Sequence, residues 1–176
     1  MREPIGEMLK GFDAPIDISA APAVWGGFVR GKDVIIRVGT SLSSTGSEES
    51  ACDHVSAEII ENLSVVGGNP FFAIGLVIDG PLQNFQFEGA LRALELAKQE
   101  GLCKNLALFA LDVNAAISRW SLRDAFEIVF APAEEFLRIV SFAKTRRVDS
   151  VSLGIASEDK MALVDIAKPE DFKALA

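Results

Sequence analysis

The sequence predicts a layered α/β or α+β domain, and three observations predict it. An almost unbroken apolar strand, Phe71-Phe72-Ala73-Ile74-Gly75-Leu76-Val77-Ile78, runs into an Asp79-Gly80-Pro81 turn. An amphipathic helix follows from about Gln86 to Glu100, with Phe87, Ala90, Leu91, Leu94 and Ala97 on one side and Glu88, Arg92, Glu95 and Lys98 toward water. Upstream, the β-branched run Val34 to Val38 precedes another helix with an apolar stripe. Strands alternating with helices bury one apolar face of each against the other.

Taken in order, residues 1 to 31 hold Pro4, Pro15 and Pro22 and break any long helix, leaving room for a short one over Ile5 to Lys10. Trp25 to Gly31 reads as a strand and turn. In the Val34 to Val38 strand, Arg37 interrupts the apolar pattern. The small polar loop Gly39 to Ser47 leads to a helix capped by Ser47, with Val55, Ile59, Ile60 and Leu63 as its stripe. After the central strand and its helix, Gly101 stops the chain and Leu106 to Val113 forms a further strand. Asn114 to Trp120 reads as a connection. A long helix from about Leu122 must kink at Pro132 or divide there, because proline removes a helical hydrogen bond. Val151 to Ile155 and Met161 to Ile166 read as a hairpin across Ala156 to Lys160, and Pro169 opens a short terminal helix.

Composition bounds the function classes. At 176 residues and 49% hydrophobic, the chain suits a single domain over residues 1–176, with residues 1–70 as an N-terminal extension and 71–166 as the core. A net charge of -8 without long like-charge runs argues against nucleic acid as a partner. No stretch approaches the ~20 apolar residues of a spanning helix, so no membrane role and a cytoplasmic location are expected. Cys52 and Cys103 lack metal-type spacing, and one histidine cannot complete a zinc site with them; two buried thiols are expected and no metal. High mean hydropathy, with 12 Phe and no Tyr, suggests apolar surface covered in a homo-oligomer.

From Ala73 to about Ile155 the chain resembles the formaldehyde-activating enzyme family. The residues that carry the resemblance are Ile74-Gly75-Leu76-Val77-Ile78-Asp79-Gly80-Pro81 and Phe130-Ala131-Pro132-Ala133-Glu134. The resemblance implies a two-layer α+β sandwich of the ribosomal protein S5 domain 2-like fold, with an N-terminal extension. It also implies a ring-shaped homo-oligomer and a tetrahydromethanopterin-like one-carbon carrier, or another pterin-like small molecule, as ligand. Any activity would be that of a carbon–nitrogen lyase joining formaldehyde to tetrahydromethanopterin. The family's catalytic His falls at Ala73 and an Asp at Gly75, while its Lys-x-Thr falls near Ile117-Ser118-Arg119; the catalytic residues are therefore unknown. Glu134 keeps a hydrogen-bonding side chain at the position of the family's Gln. The alternative is a non-enzymatic, self-assembling scaffold protein.

Other candidates follow from residue chemistry alone. Asp79 and Gly80, and Asp112 and Asn114, lie at expected carboxyl ends of strands, where open sheets gather ligand groups; such residues also make ordinary turns. With Arg119 and Glu134 they form the expected ligand-binding set. His54 is the only imidazole and stands as a general base or as a solvent-facing helix residue. The Gly39 to Ser47 loop enters a helix but lacks the spacing of a nucleotide loop, and Glu48 and Glu49 would repel phosphate, so no cofactor is expected. Trp25 and Trp120 suit either stacking on a flat ring or core packing.

Overall fold

The computed structural model describes Leu9, residues 13–154 and the backbone of residues 162–163. Its strands are β1 (Ile16–Asp17), β2 (Val34–Val38), β3 (Phe71–Ile78), β4 (Cys103–Ala110), β5 (Ile128–Pro132), β6 (Asp149–Leu153) and β7 (Ala162–Leu163). Its helices are α1 (Pro22–Trp25), α2 (Glu48–Val65), α3 (Asn84–Gln99), α4 (Val113–Trp120) and α5 (Phe136–Arg146), with a 3-10 turn at Leu42–Ser44. The strands pair in chain order into one sheet, and every pair is parallel.

This order determines the architecture. Parallel neighbours need crossover connections, and those are right-handed, so strands laid down in one direction put all their helices on one face. The twisted sheet curls away from those helices into a half-barrel. Side chains alternate accordingly. Ile36, Val38, Ile74, Leu76, Ile78, Leu106, Leu108 and Val129 join the large core under the helices, while Ile35, Ala73, Val77, Ala107, Phe109, Ile128, Phe130 and Val151 form a separate core on the inner face.

The expected two-layer S5-like sandwich is therefore not formed, because every described strand pair is parallel. Val34–Val38 is no added layer; it pairs with Phe71–Ile78 inside the same sheet. The kinked helix across Pro132 is replaced by β5, whose Ile128-Val129-Phe130-Ala131 run is buried between β4 and β6, with Pro132 at its end. The expected connection after Asp112 is helix α4, capped by the Asp112 carboxylate, which accepts the Ala115 N–H at 2.9 Å. The hairpin is also corrected. β6 and β7 pair in parallel, Ser152 with Ala162 and Leu153 with Leu163. The short helix at Ile5 to Lys10, the Ala156 to Lys160 turn and the helix after Pro169 lie outside the described residues. Trp25 belongs to α1 rather than to a strand.

Other elements form where the pattern placed them. Ser47 and Ser50 make a reciprocal capping box on α2, each side chain meeting the other's backbone N–H at 3.0 Å. In α3 the buried Gln86 accepts the Gln83 N–H at 2.9 Å and donates to the Thr45 carbonyl at 3.0 Å, which ties the loop after β2 to this helix. Of the α2 stripe, Val55 and Ile59 are buried and Ile60 is exposed. Helices α2 and α3 cross closely at Gly89, where a Cβ would stand 2.1 Å from the Glu48 carbonyl oxygen and 2.9 Å from the Ala51 Cβ.

Two outcomes follow from this packing. Helix propensity alone predicts that Gly89→Ala stabilises by about 0.5–1 kcal/mol, but the contact is with backbone, which cannot rotate away. We expect a net loss of about 1–3 kcal/mol, read as a lower urea midpoint at unchanged slope. Cys103 gives the second. Burial, aided by the Glu127 charge, pushes its thiol from 9.0 to about 11. As pH rises from 9 toward 11, the unfolded chain releases a proton that the folded one still holds, so stability is full below this window and is lost through it. Cys103→Ala, compared with wild type in denaturant series across that window, flattens the decline.

Candidate functional site

In sequentially wound parallel sheets the carboxyl ends of the strands gather the functional groups, because the loops there converge. On the inner face at that end stands a charged cluster. Asp17, the last residue of β1, uses one carboxylate oxygen to accept from the Ser19 N–H at 2.9 Å and the Ser19 hydroxyl at 2.6 Å. Its other oxygen accepts from Arg37 Nε at 2.7 Å. The Ser19 hydroxyl in turn accepts the Arg37 backbone N–H at 2.7 Å. Arg37 is thus held by main chain and side chain together, and among the described residues its two terminal nitrogens are unused donors in a fixed fork.

The wall beside this cluster is aromatic. The Arg37 guanidinium lies 4.4 Å from the centre of the Phe109 ring, a cation–π contact. Phe109 stacks on Phe130 at 4.3 Å with the planes 5° apart. Gly75, level with Arg37 in the register, makes room for this: a Cβ there would meet the Phe109 ring at 2.2 Å. Ala73, where the resemblance put a catalytic group, is fully buried in the inner core and offers no ligand surface.

The end of β2 is anchored from α2. Gly39 has φ +84, and its N–H donates to Glu58 Oε2 at 2.6 Å. His54, one helical turn before Glu58, places Nε2 3.6 Å from Glu58 Oε1, and that nitrogen has no hydrogen-bond partner. The only imidazole in the chain therefore stands beside the carboxylate that fixes the strand end, away from the Arg37 fork.

The expected ligand set is only partly brought together. Asp112, Asn114 and Arg119 line one cleft of about 210 Å³ with Pro81, Leu82, Ala115 and Ser118, and Asp79 and Gly80 lead directly into Pro81. Asn114 accepts from Arg138 at 2.6 Å, and Arg119 donates to the Leu82 carbonyl. Glu134, exposed on the turn after β5, does not line that cleft. Trp120 is core, packed edge-on against Phe126 and Phe142. Both cysteines are free and buried. Among the described residues no group of acidic, His and Cys side chains could hold a metal ion, and no helix is long and apolar enough to cross a membrane. Asp17, Ser19, Arg37 and Glu58 were not expected as site residues. The signal that could have found Arg37 was the charge interrupting an otherwise apolar strand.

No family model matches the sequence, and no curated protein matches it. Solved structures do. A Pseudomonas aeruginosa protein assigned as an aldo-keto reductase superposes over 99% of this chain and 85% of its own, at 13% identity and a TM-score of 0.70. An aldo-keto reductase from Brucella melitensis matches over 97% of this chain and 80% of its own, at 12% identity and a TM-score of 0.73. A variant of the protein Gox0644, solved in complex with NADPH, matches over 97% and 75% at 9% identity and a TM-score of 0.71. These likenesses show the fold: an aldo-keto-reductase-like, TIM-type half-barrel. They overturn the formaldehyde-activating resemblance, and the tetrahydromethanopterin-dependent lyase reading falls with it.

Truncating the anchor of β2 tests this geometry. Glu58→Ala leaves the Gly39 N–H without its acceptor and should cost about 1–3 kcal/mol. Hydrogen exchange at the Gly39 amide should accelerate well beyond that of the β3 amides.

Proposed function

We propose that the chain is an aldo-keto-reductase-like oxidoreductase that binds a nicotinamide cofactor and reduces a small carbonyl compound at the carboxyl end of the half-barrel. The Asp17–Arg37 pair carries this reading, seated on the inner face at that end of the sheet. Support comes from the fold shared with reductases, one of them solved with NADPH. The residues present fit an oxygen-rich ligand: the unused nitrogens of Arg37 suit a carboxamide, phosphate or carbonyl oxygen. When bound, the cofactor supplies hydride to the carbonyl carbon.

The chain's own groups account for the rest. Negative charge would grow on the carbonyl oxygen during hydride transfer, and a guanidinium fixed by Asp17, on a main chain held by Ser19, stabilises it without reorganising. Arg37 acts as an electrostatic partner through its donors, and the proton reaches the oxygen from solvent. No tyrosine exists in the chain to act as an acid. Asp17 is a positioning residue: its carboxylate aims the fork.

Tryptophan fluorescence titration with NADPH, followed by NADPH consumption over a panel of aldehydes and ketones, tests the reading. Saturable binding and carbonyl-dependent consumption are expected, the latter falling about 10²-fold in Arg37→Gln, whose amide keeps a donor for Asp17. Absence of both binding and consumption would overturn it.

A further inference from the structure

The rim cleft between the β3–α3 loop and α4 has polar chemistry that the reductase reading leaves unused. Arg37, Arg92, Arg123, Arg138 and Arg146 each pair with a carboxylate. Arg119 is half-buried, and no carboxylate lies within ion-pair distance of it among the described residues, although the chain carries a net charge of -8. Its Nη2 donates to the Leu82 carbonyl, which fixes the guanidinium on the cleft wall, and among the described residues Nε and Nη1 have no acceptor. A partly desolvated cation without a counter-ion is unfavourable, and an anion from solution relieves it.

The opposite end of the cleft carries the opposite charge. Asp112 uses Oδ1 to cap α4, and among the described residues its Oδ2 has no hydrogen-bond donor. Seven residues separate Asp112 from Arg119, about 10 Å along a helix. Between them lie the apolar Pro81, Leu82 and Ala115 and the hydroxyl of Ser118. The cleft, about 210 Å³, is smaller than the ~300 Å³ at the lower end of drug-sized sites. A polyanion is repelled at the Asp112 end.

We propose that this cleft binds a small linear zwitterion, its carboxylate on Arg119, its ammonium on Asp112 and its methylene spacer on Pro81, Leu82 and Ala115. The site is independent of the reductase reading, since none of its residues belongs to the Asp17–Arg37 cluster. The probe is δ-aminovalerate, with valerate and pentylamine as one-ended controls, followed by ¹⁵N chemical shifts of the Leu82, Ala115, Ser118 and Arg119 amides.

Saturable shifts confined to these amides are expected, with each one-ended control about tenfold weaker. Asp112→Asn keeps the helix cap, because asparagine caps as well as aspartate, so the fold survives while affinity for δ-aminovalerate falls about tenfold. Arg119→Gln should do the same from the other end, and Arg119→Lys should recover part of the loss. If no saturable shift occurs, if the one-ended controls bind equally, or if Asp112→Asn has no effect, the proposal is overturned and Arg119 is a clamp on the β3–α3 loop only.

Discussion

The missing side chain at Gly75 is the constraint on which the inner face depends. β3 is pressed from both sides, with Ile74, Leu76 and Ile78 in the helical core and Ala73 and Val77 in the inner one. Any Cβ at position 75 would occupy the volume of the Phe109 ring. Because it is absent, Phe109 lies flat across β3, Phe130 stacks on it, and the Arg37 guanidinium finds an aromatic face instead of water. One glycine thus couples three strands and places a cation where the strand ends converge.

The strand and helix patterns were legible locally; the topology was not. β3, α2 and α3 follow directly from periodicity and capping, because each is long enough for its apolar face to be unambiguous. Parallel order is a property of pairing between strands, and a strand covered on both faces reads the same in a two-layer sandwich as in a half-barrel. The resemblance then supplied the wrong frame. β5 was lost because its five residues precede an amphipathic helix, so Pro132 looked like a kink in one long helix rather than the end of a strand. α4 was lost because it is eight residues long and its cap, Asp112, also has the chemistry of a ligand residue at a strand end.

The same ambiguity explains the site. Asp112 and Asn114 were found because strand ends attract attention and Arg119 through the resemblance, and the structure does gather the three around one cleft. Asp17 escaped notice because it sits in a proline- and glycine-rich lead with no periodicity to place it. Arg37 was visible only as a break in an apolar run. Its partner stands twenty residues upstream, and only the parallel pairing of β1 with β2 brings the two charges together. A charged residue inside a buried strand demands a partner, and that demand is the part of the site a sequence can state without a fold.

Arg37 and Arg119 show how one residue type is given different electrostatic surroundings. Arg37 is neutralised before any ligand arrives: Asp17 takes its Nε and Phe109 its face, so its remaining donors act on partial charges and oxygen dipoles. Among the described residues Arg119 meets a carbonyl and no carboxylate, so no counter-charge there offsets it. A guanidinium already paired through Nε suits charge that develops during a reaction, since its fork is held in place before any ligand arrives. An unpaired one suits an anion that is present from the start. The two guanidiniums therefore differ by which carboxylates the fold brings within reach, and for Arg37 that is decided by the parallel pairing of β1 with β2.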